Sequence, residues 1–99
     1  MCKYLLTDKA VKDLTEIWNY TVDIWSENQA DKYYHELLNF CQTLAENPRK
    51  GGNYNQLIKS LKGAKINRHI IFYREISKKT IEVERVLHEQ MDLKTRLIE

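Results

Sequence analysis

Three histidines, His35, His69 and His88, carry the side chains whose ordinary pKa lies nearest neutrality. They are the first places to look for proton transfer. His35 sits between Tyr34 and Glu36 in a helical stretch, off its apolar stripe, and reads as a surface residue. His69 follows Arg68 and opens the run H-I-I-F-Y-R; His88 closes the run R-V-L-H that begins at Arg85. Cleavage of a phosphodiester needs a base for the 2′-hydroxyl, an acid for the leaving oxygen and cations for the phosphate charge. Arg68, Arg85 and His88 are the residues that would supply these, grouped on an open sheet face. Strand parity weakens that cluster, because side chains three apart project to opposite faces of a regular strand. No nucleophile motif is present, and no pair of acids has a convincing context. Cys2 and Cys41 lack metal-ligand spacing and read as reduced thiols. The residues therefore favour an interaction protein over an enzyme, with no catalytic group, metal or cofactor expected.

A different chemistry lies in the charge distribution. Residues 1–46 carry a net −4, residues 47–74 a net +7 and residues 75–99 a net −1, although the whole chain is only +2. The middle block contains Lys62, Lys65, Arg68 and Arg74 and has no acidic residue. Such a block creates a local field that attracts an acidic partner, either nucleic acid or an acidic protein segment.

The elements that must position these groups are legible from periodicity. His69–Ile76 and Ile81–His88 are rich in β-branched and aromatic residues, and Ser77-Lys78-Lys79 separates them as the loop of a β-hairpin. Alternation places Ile81, Val83, Arg85 and Leu87 on one face, and Glu82, Glu84, Val86 and His88 on the other. Leu61–Ile66 predicts a weaker strand with Gly63 as a bulge, turning through Asn67-Arg68, since asparagine tolerates positive φ. Lys3–Leu6 predicts a first strand. Thr7 caps a helix from Asp8 to Trp25, whose apolar stripe contains Ala10, Leu14, Ile17, Trp18 and Trp25. Lys9, Asp13, Glu16 and Asp23 fall off that stripe. Ser26-Glu27-Asn28-Gln29 fits a capping box for a second helix, which Asn47-Pro48 ends. Trp18, Trp25, Tyr33 and Tyr34 read as packing residues of this helical hairpin. Arg49–Gln56 is a loop by composition, and Glu89–Leu97 either a short helix or an extended tail.

The order β-α-α-β-β-β predicts an α+β fold: an N-terminal strand and an antiparallel helical hairpin packed on one face of a small antiparallel sheet. Leu14, Ile17, Leu37, Leu44, Phe72, Val83 and Leu87 are the expected core. Ninety-nine residues suit a single domain, residues 1–99. No apolar run approaches the ~20 residues of a membrane span. The N-terminus enters a strand-like segment without the pattern of a signal peptide, so a cytoplasmic location is expected.

The chain also resembles the ParE branch of the RelE/ParE toxins of type II toxin–antitoxin systems. The resemblance runs through Ala10, Asp13-Leu14, Ile17, Tyr20, Trp25, Ala30 and Tyr33, then Leu44-Ala45, Pro48 and Gly51. Its more specific part is Ser60-Leu61-Lys62, Arg68–Arg74, Arg85–His88, Met91-Asp92 and Leu97. Asn67 stands where the family often has glycine, and Ala64-Lys65 replaces a more apolar pair. The resemblance implies a helical hairpin on an antiparallel sheet and a poison of DNA gyrase that blocks replication. It implies a cognate antitoxin, ParD-like, with a ribbon–helix–helix half and an acidic wrapping segment. Joined to the charge block, this makes Lys62, Lys65, Arg68 and Arg74 the expected antitoxin contacts. RelE relatives of the same fold cleave mRNA on the ribosome. That is the alternative in which Arg68, Arg85 and His88 would act and nucleic acid would be touched directly.

Overall fold

The structure, a computed structural model, describes residues 2–98; Met1 and Glu99, the ends of the expected domain, lie outside the described residues. The elements are β1 (Lys3–Leu6), α1 (Asp8–Ile24), α2 (Glu27–Glu46), β2 (Gly52–Asn53), β3 (Lys62–Ile66), β4 (His69–Ser77), β5 (Thr80–His88) and α3 (Leu93–Ile98). The strands form one sheet in the order β1-β5-β4-β3-β2. The α+β class and the helical hairpin on a sheet follow the sequence reading. The sheet is mixed, however, because β1 joins β5 in parallel, Lys3 opposite Thr80 through Leu6 opposite Val83. Two further details differ from expectation. The segment read as loop holds a 3-10 turn, Pro48–Lys50, and the two-residue β2. The C-terminal stretch takes the helical alternative.

Both helix caps form as their sequences dictate. Thr7 Oγ1 accepts from Ala10 N at 3.1 Å, and Ser26 Oγ accepts from Gln29 N at 3.1 Å. The two helices lie against the sheet face that carries Ile71, Tyr73, Ile81, Val83 and Val86, and bury Ala10, Leu14, Leu37, Cys41 and Leu44 there. Ile17 packs at the margin of this core, half-buried rather than enclosed. Trp25 was expected to pack as well, but it is 73% exposed, because it is the C-terminal cap of α1 and the chain turns there toward α2.

The opposite sheet face is not open at the β4–β5 end. Leu61, Ile70, Phe72, Leu87 and Leu97 form a second core, closed by Tyr54, Leu57, Ile58 and Leu93. The segment 54–61 folds back through bonds such as Tyr54 N to Leu61 O at 2.9 Å, and Ser60 adopts φ 66° to do so. Gly63 serves this second layer and is not a bulge; β3 pairs β4 in unbroken register from Lys62–Tyr73 to Ile66–His69. A Cβ on Gly63 would lie 2.6 Å from the Tyr54 ring, so the missing side chain lets Tyr54 reach Phe72 edge-on, at 5.1 Å between ring centres.

The bulge lies instead in β5. Phe72 opposes Arg85 and Tyr73 opposes Val83, which leaves Glu84 as the extra residue. An inserted residue reverses the alternation beyond it. Val86 therefore joins Val83 in the helix-side core, and Leu87 passes to the second core, contrary to the simple alternation read from the sequence. The β4–β5 connection is also tighter than expected: Ser77 pairs with Thr80 across Lys78-Lys79, and Ile76 is skipped in the register. Asn67 turns β3 into β4 with φ 53°, as asparagine permits.

Candidate functional site

The parallel pairing of β1 determines what happens at the edge of β5. β1 stops at Leu6; Thr7 N then donates to Val83 O at 3.1 Å, and Thr7 Oγ1 donates to Glu84 O at 2.8 Å. Beyond that point β5 has no strand on its β1 side, and its backbone needs another partner. Asp13, one turn into α1, provides it. Its Oδ2 accepts from Val86 N at 3.0 Å and from Arg85 Nε at 2.7 Å, while Oδ1 accepts from Arg85 Nη2 at 3.0 Å. Arg85 Nη1 also donates to the carbonyl of Arg96 in α3. Asp13 and Arg85 are only 8% and 9% exposed. The ion pair thus joins α1, β5 and α3 around a sheet edge.

Two sequence expectations change here. Asp13 faces inward rather than off the packed stripe. Arg85 does not stand on an open face, because its fork is enclosed by the helix carboxylate and the α3 carbonyl. The signal for both was available: an acid one position from the buried Leu14, and a lone arginine inside an apolar strand run. Two buried charges of opposite sign require each other.

Beside this pair opens a groove of about 1140 Å³ between α1, the first half of α2, the Asn67–His69 turn and the end of β5. One face of α1 forms a wall, with Lys9, Lys12, Glu16 and Tyr20 recurring at helical spacing, and Trp25 closes that end. Gln29, Tyr33 and Glu36 line it from α2. At the centre, His69 and His88 are cross-strand partners with ring centres 5.4 Å apart. Tyr33 Oη lies 2.7 Å from His69 Nδ1. Burial, and next the neighbouring His88, push His69 down to about 4, so its imidazole is neutral at pH 7; burial also raises the Tyr33 phenol above its usual range. The backbone N–H of Gln90 donates to His88 Nδ1 at 3.1 Å. A neutral His88 then carries its proton on Nε2 and offers a donor there, not a lone pair.

The predicted site residues divide. Arg68 and His88 line the groove, and Arg85 reaches its wall from within the ion pair. Arg85 and His88 lie on opposite faces of β5, as parity requires, since the register from 85 to 88 is continuous. Lys62 instead pairs with Glu75 at 2.8 Å and Lys65 with Glu89 at 2.8 Å. Arg74 lies between Glu82 at 3.8 Å and Glu84 at 3.5 Å. The cationic block is therefore neutralised in part by acids from β4, β5 and the residue after it. Tyr20, which the sequence reading left aside, and Trp25, which it assigned to packing, belong to the groove; Tyr33 packs against the helix-side core as expected and also lines the groove. Cys41 is buried among Leu37, Leu44 and Ala45, and burial pushes its thiol up to about 12, far from a reactive thiolate. Among the described residues no group of three or more His, Cys, Asp or Glu is placed to hold a metal ion, and no helix is long and apolar enough to cross a membrane.

Residues 4–93 match the family model described as the ParE toxin of the type II toxin–antitoxin system parDE. The chain belongs to the ParE toxin family. Relatives agree with the assignment. Toxin ParE1 of Mycobacterium tuberculosis is 37% identical over 95 residues, covering 96% of this chain and 97% of its own length. Toxin ParE1 of Caulobacter vibrioides is 32% identical over 97 residues, covering 98% and 99%. Solved structures of related fold include the chromosomal ParDE system of P. aeruginosa, with TM-score 0.75, 18% identity and coverage of 89% and 96%. The RelBE2 toxin–antitoxin complex of M. tuberculosis superposes with TM-score 0.67 at 18% identity, covering 88% and 96%. The protein, a ParE-type toxin of a type II system, shares its fold with both structures.

Proposed function

We propose that this ParE-family chain poisons DNA gyrase as a protein-binding toxin, acts in the cytoplasm, and is neutralised by a cognate ParD-like antitoxin with an acidic wrapping segment. One observation carries the choice against a nuclease: the guanidinium of Arg85 and the Nδ1 lone pair of His88 are both already engaged inside the fold. A ribonuclease site needs a free base and cations directed at the phosphate. His69 does not supply the acid, since it is neutral at pH 7. The antitoxin reading rests on the family and on the cationic residues of the middle block. Arg68 lines the groove and is available to a partner, whereas Lys62, Lys65 and Arg74 would exchange an internal carboxylate for an external one. Surface pairs of that kind are worth only about 0–1 kcal/mol, so exchange is cheap.

Purified protein is tested in a supercoiling assay with gyrase and DNA, run beside mRNA cleavage on programmed ribosomes. Inhibited supercoiling or trapped cleavage complexes, with intact message, are expected. Message cut at the ribosomal A site, gyrase unaffected and His88→Ala inactive would replace this reading with the nuclease one, which the meeting of Tyr33, His69 and His88 beside Arg68 would then explain.

A further inference from the structure

The two edges of the sheet are finished differently. One is the two-residue β2, after which the segment 54–61 folds back and closes the second core. The other is β1, whose outer side meets no strand among the described residues. Lys3 N donates to Lys79 O and Thr7 N to Val83 O. Backbone groups alternate in direction along a strand, so Lys3, Leu5 and Thr7 turn theirs toward β5. Tyr4 and Leu6 each aim an N–H and a C=O away from the sheet, and no described residue bonds these groups. Such a row of groups is a template for another strand. The side chains sort by face. Tyr4 and Leu6 pack into the helix-side core, whereas Lys3 and Leu5 stand on the other face, where Leu5 is 42% exposed. Glu82 is the register partner of Leu5, and Glu82 and Glu84 share one cation, Arg74, at 3.8 and 3.5 Å. Lys3 forms no ion pair among the described residues. This face therefore carries a spare cation at one end of the edge and two acids with one arginine toward the other.

We infer that β1 is a self-association edge: a second copy of this chain lays its own β1 antiparallel against it, centred on Leu5, and the two sheets become one. The pairing is self-complementary, as a two-fold interface has to be. Tyr4 of one copy exchanges two backbone bonds with Leu6 of the other, and Leu6 does the same with Tyr4, so every outward group of the edge is bonded. Leu5 meets Leu5 of the second copy at the axis, in the close non-hydrogen-bonded arrangement, and its exposed side chain is covered. Lys3 comes opposite Thr7 of the second copy. From there Glu84 is one strand further on, about 10 Å from Lys3 between backbones, a gap that a lysine and a glutamate on the same face close. A lysine on an edge strand normally discourages pairing, but this arrangement delivers it to the acids of the other copy. Parallel pairing would instead set Lys3 beside Lys3. The inference is independent of the gyrase and antitoxin readings. A seam this short makes a pair that dissociates on dilution.

The test is sedimentation equilibrium of the purified full-length chain from about 5 μM to about 500 μM, over which the apparent mass should climb from one copy toward two. Leu5→Lys puts two ammonium groups at the axis, yet within one copy the new lysine lies beside Glu82 and the fold is kept. It should weaken association by about tenfold or more. Lys3→Glu should weaken it by about threefold or more at low salt, with a deficit that shrinks as salt is raised. Register is read by cross-linking in a Cys2→Ser background, where the remaining Cys41 is buried. Leu5→Cys should form a disulfide with its own copy under mild oxidation, since the paired Cα atoms lie about 4.5 Å apart. Lys3→Cys should not, because its copies lie about 13 Å apart along the strands. Circular dichroism and melting temperature near wild type show that the variants are folded. A wild-type chain that stays single at the highest concentration overturns the inference. So does Leu5→Lys associating as tightly as wild type, or both cysteine variants cross-linking alike. A single-copy toxin that loses its antitoxin on Leu5→Lys assigns the edge to the antitoxin and overturns it too.

Discussion

Asp13→Ala should be among the most damaging single substitutions in this chain, more so than an acid near a helix surface suggests. The carboxylate holds two of the three Arg85 guanidinium nitrogens and the Val86 N–H, at 2.7–3.0 Å. Its removal takes from a guanidinium at 9% exposure the carboxylate that holds two of its nitrogens, and strands the Val86 backbone donor. Breaking a buried ion pair from one side costs about 3–5 kcal/mol. Domains of this kind are stable by about 5–15 kcal/mol in all. For a chain of about 100 residues each kcal/mol moves the melting temperature by about 4–8 °C, so a drop of at least about 12 °C is expected. Thermal and urea unfolding followed by circular dichroism measure it. A double-mutant cycle then isolates the pair. Asp13→Leu with Arg85→Met removes both charges, and it should lie well above the sum of the single losses, because no buried charge is left alone. An Asp13→Ala protein within about 0.5 kcal/mol of wild type, or strict additivity in the cycle, would refute the argument that this pair closes the β5 edge.

The remaining expectations concern the two cores and one carboxylate. Leu37→Ala should cost about 2–5 kcal/mol in urea unfolding, since Leu37 is fully enclosed; an unchanged midpoint would mean that α2 presents another face. Gly63→Ala should cost about 1–3 kcal/mol and disturb the Tyr54–Phe72 contact, seen as altered aromatic resonances, because the new methyl would meet the Tyr54 ring. Glu84 is raised to about 7 by burial and then by Glu82, against the pull of Arg74. A carboxyl raised in the fold favours the folded state most below its unfolded value of 4.5, and that contribution is lost as pH rises through about 7. Glu84→Gln should therefore stabilise the protein at pH 8 relative to wild type and flatten the decline between pH 4.5 and 7. His69 works in the opposite direction over an overlapping window. Held near 4 in the fold, it contributes stability above 6.5 that is lost as pH falls toward 4, so His69→Gln should remove an acid-side loss when melting is followed against pH.

The fold class was legible because its signals are local. Thr7 and Ser26 cap, Asn67 turns, Pro48 ends α2, and the helix-facing stripes follow a 3.6 period. What escaped was non-local. The direction of β1 depends on a strand 77 residues away, which no periodicity encodes. The Glu84 bulge replaced one alternation with two half-alternations, so Val86 and Leu87 exchanged faces. The second core drew on Leu57 and Ile58, apolar residues in a segment that composition marks as loop or leaves unassigned. For the site, the sequence singled out Arg68, Arg85 and His88 for the nuclease alternative but not that Arg85 would be held by Asp13. It marked Trp25 as a packing residue because aromatic residues at helical spacing usually are, whereas Tyr33 does pack against the core and lines the groove as well. Only the three-dimensional arrangement separates Trp18, half-buried with its indole N–H on Asp31 at 2.9 Å, from Trp25, which faces the groove.

The parallel pairing of β1 with β5 has a consequence for how the toxin is made. The hydroxyl of Thr7 and the carbonyl it meets at Glu84 are 77 positions apart. At bacterial and eukaryotic elongation rates of about 5–20 residues per second, roughly 4–15 s pass between synthesis of the two. During that interval β1 has no strand to lie beside, and Asp13 has no arginine. The helical hairpin has its local bonds but no sheet beneath it. The groove walled by α1 thus stays open on its β5 side for several seconds after α1 itself has been made.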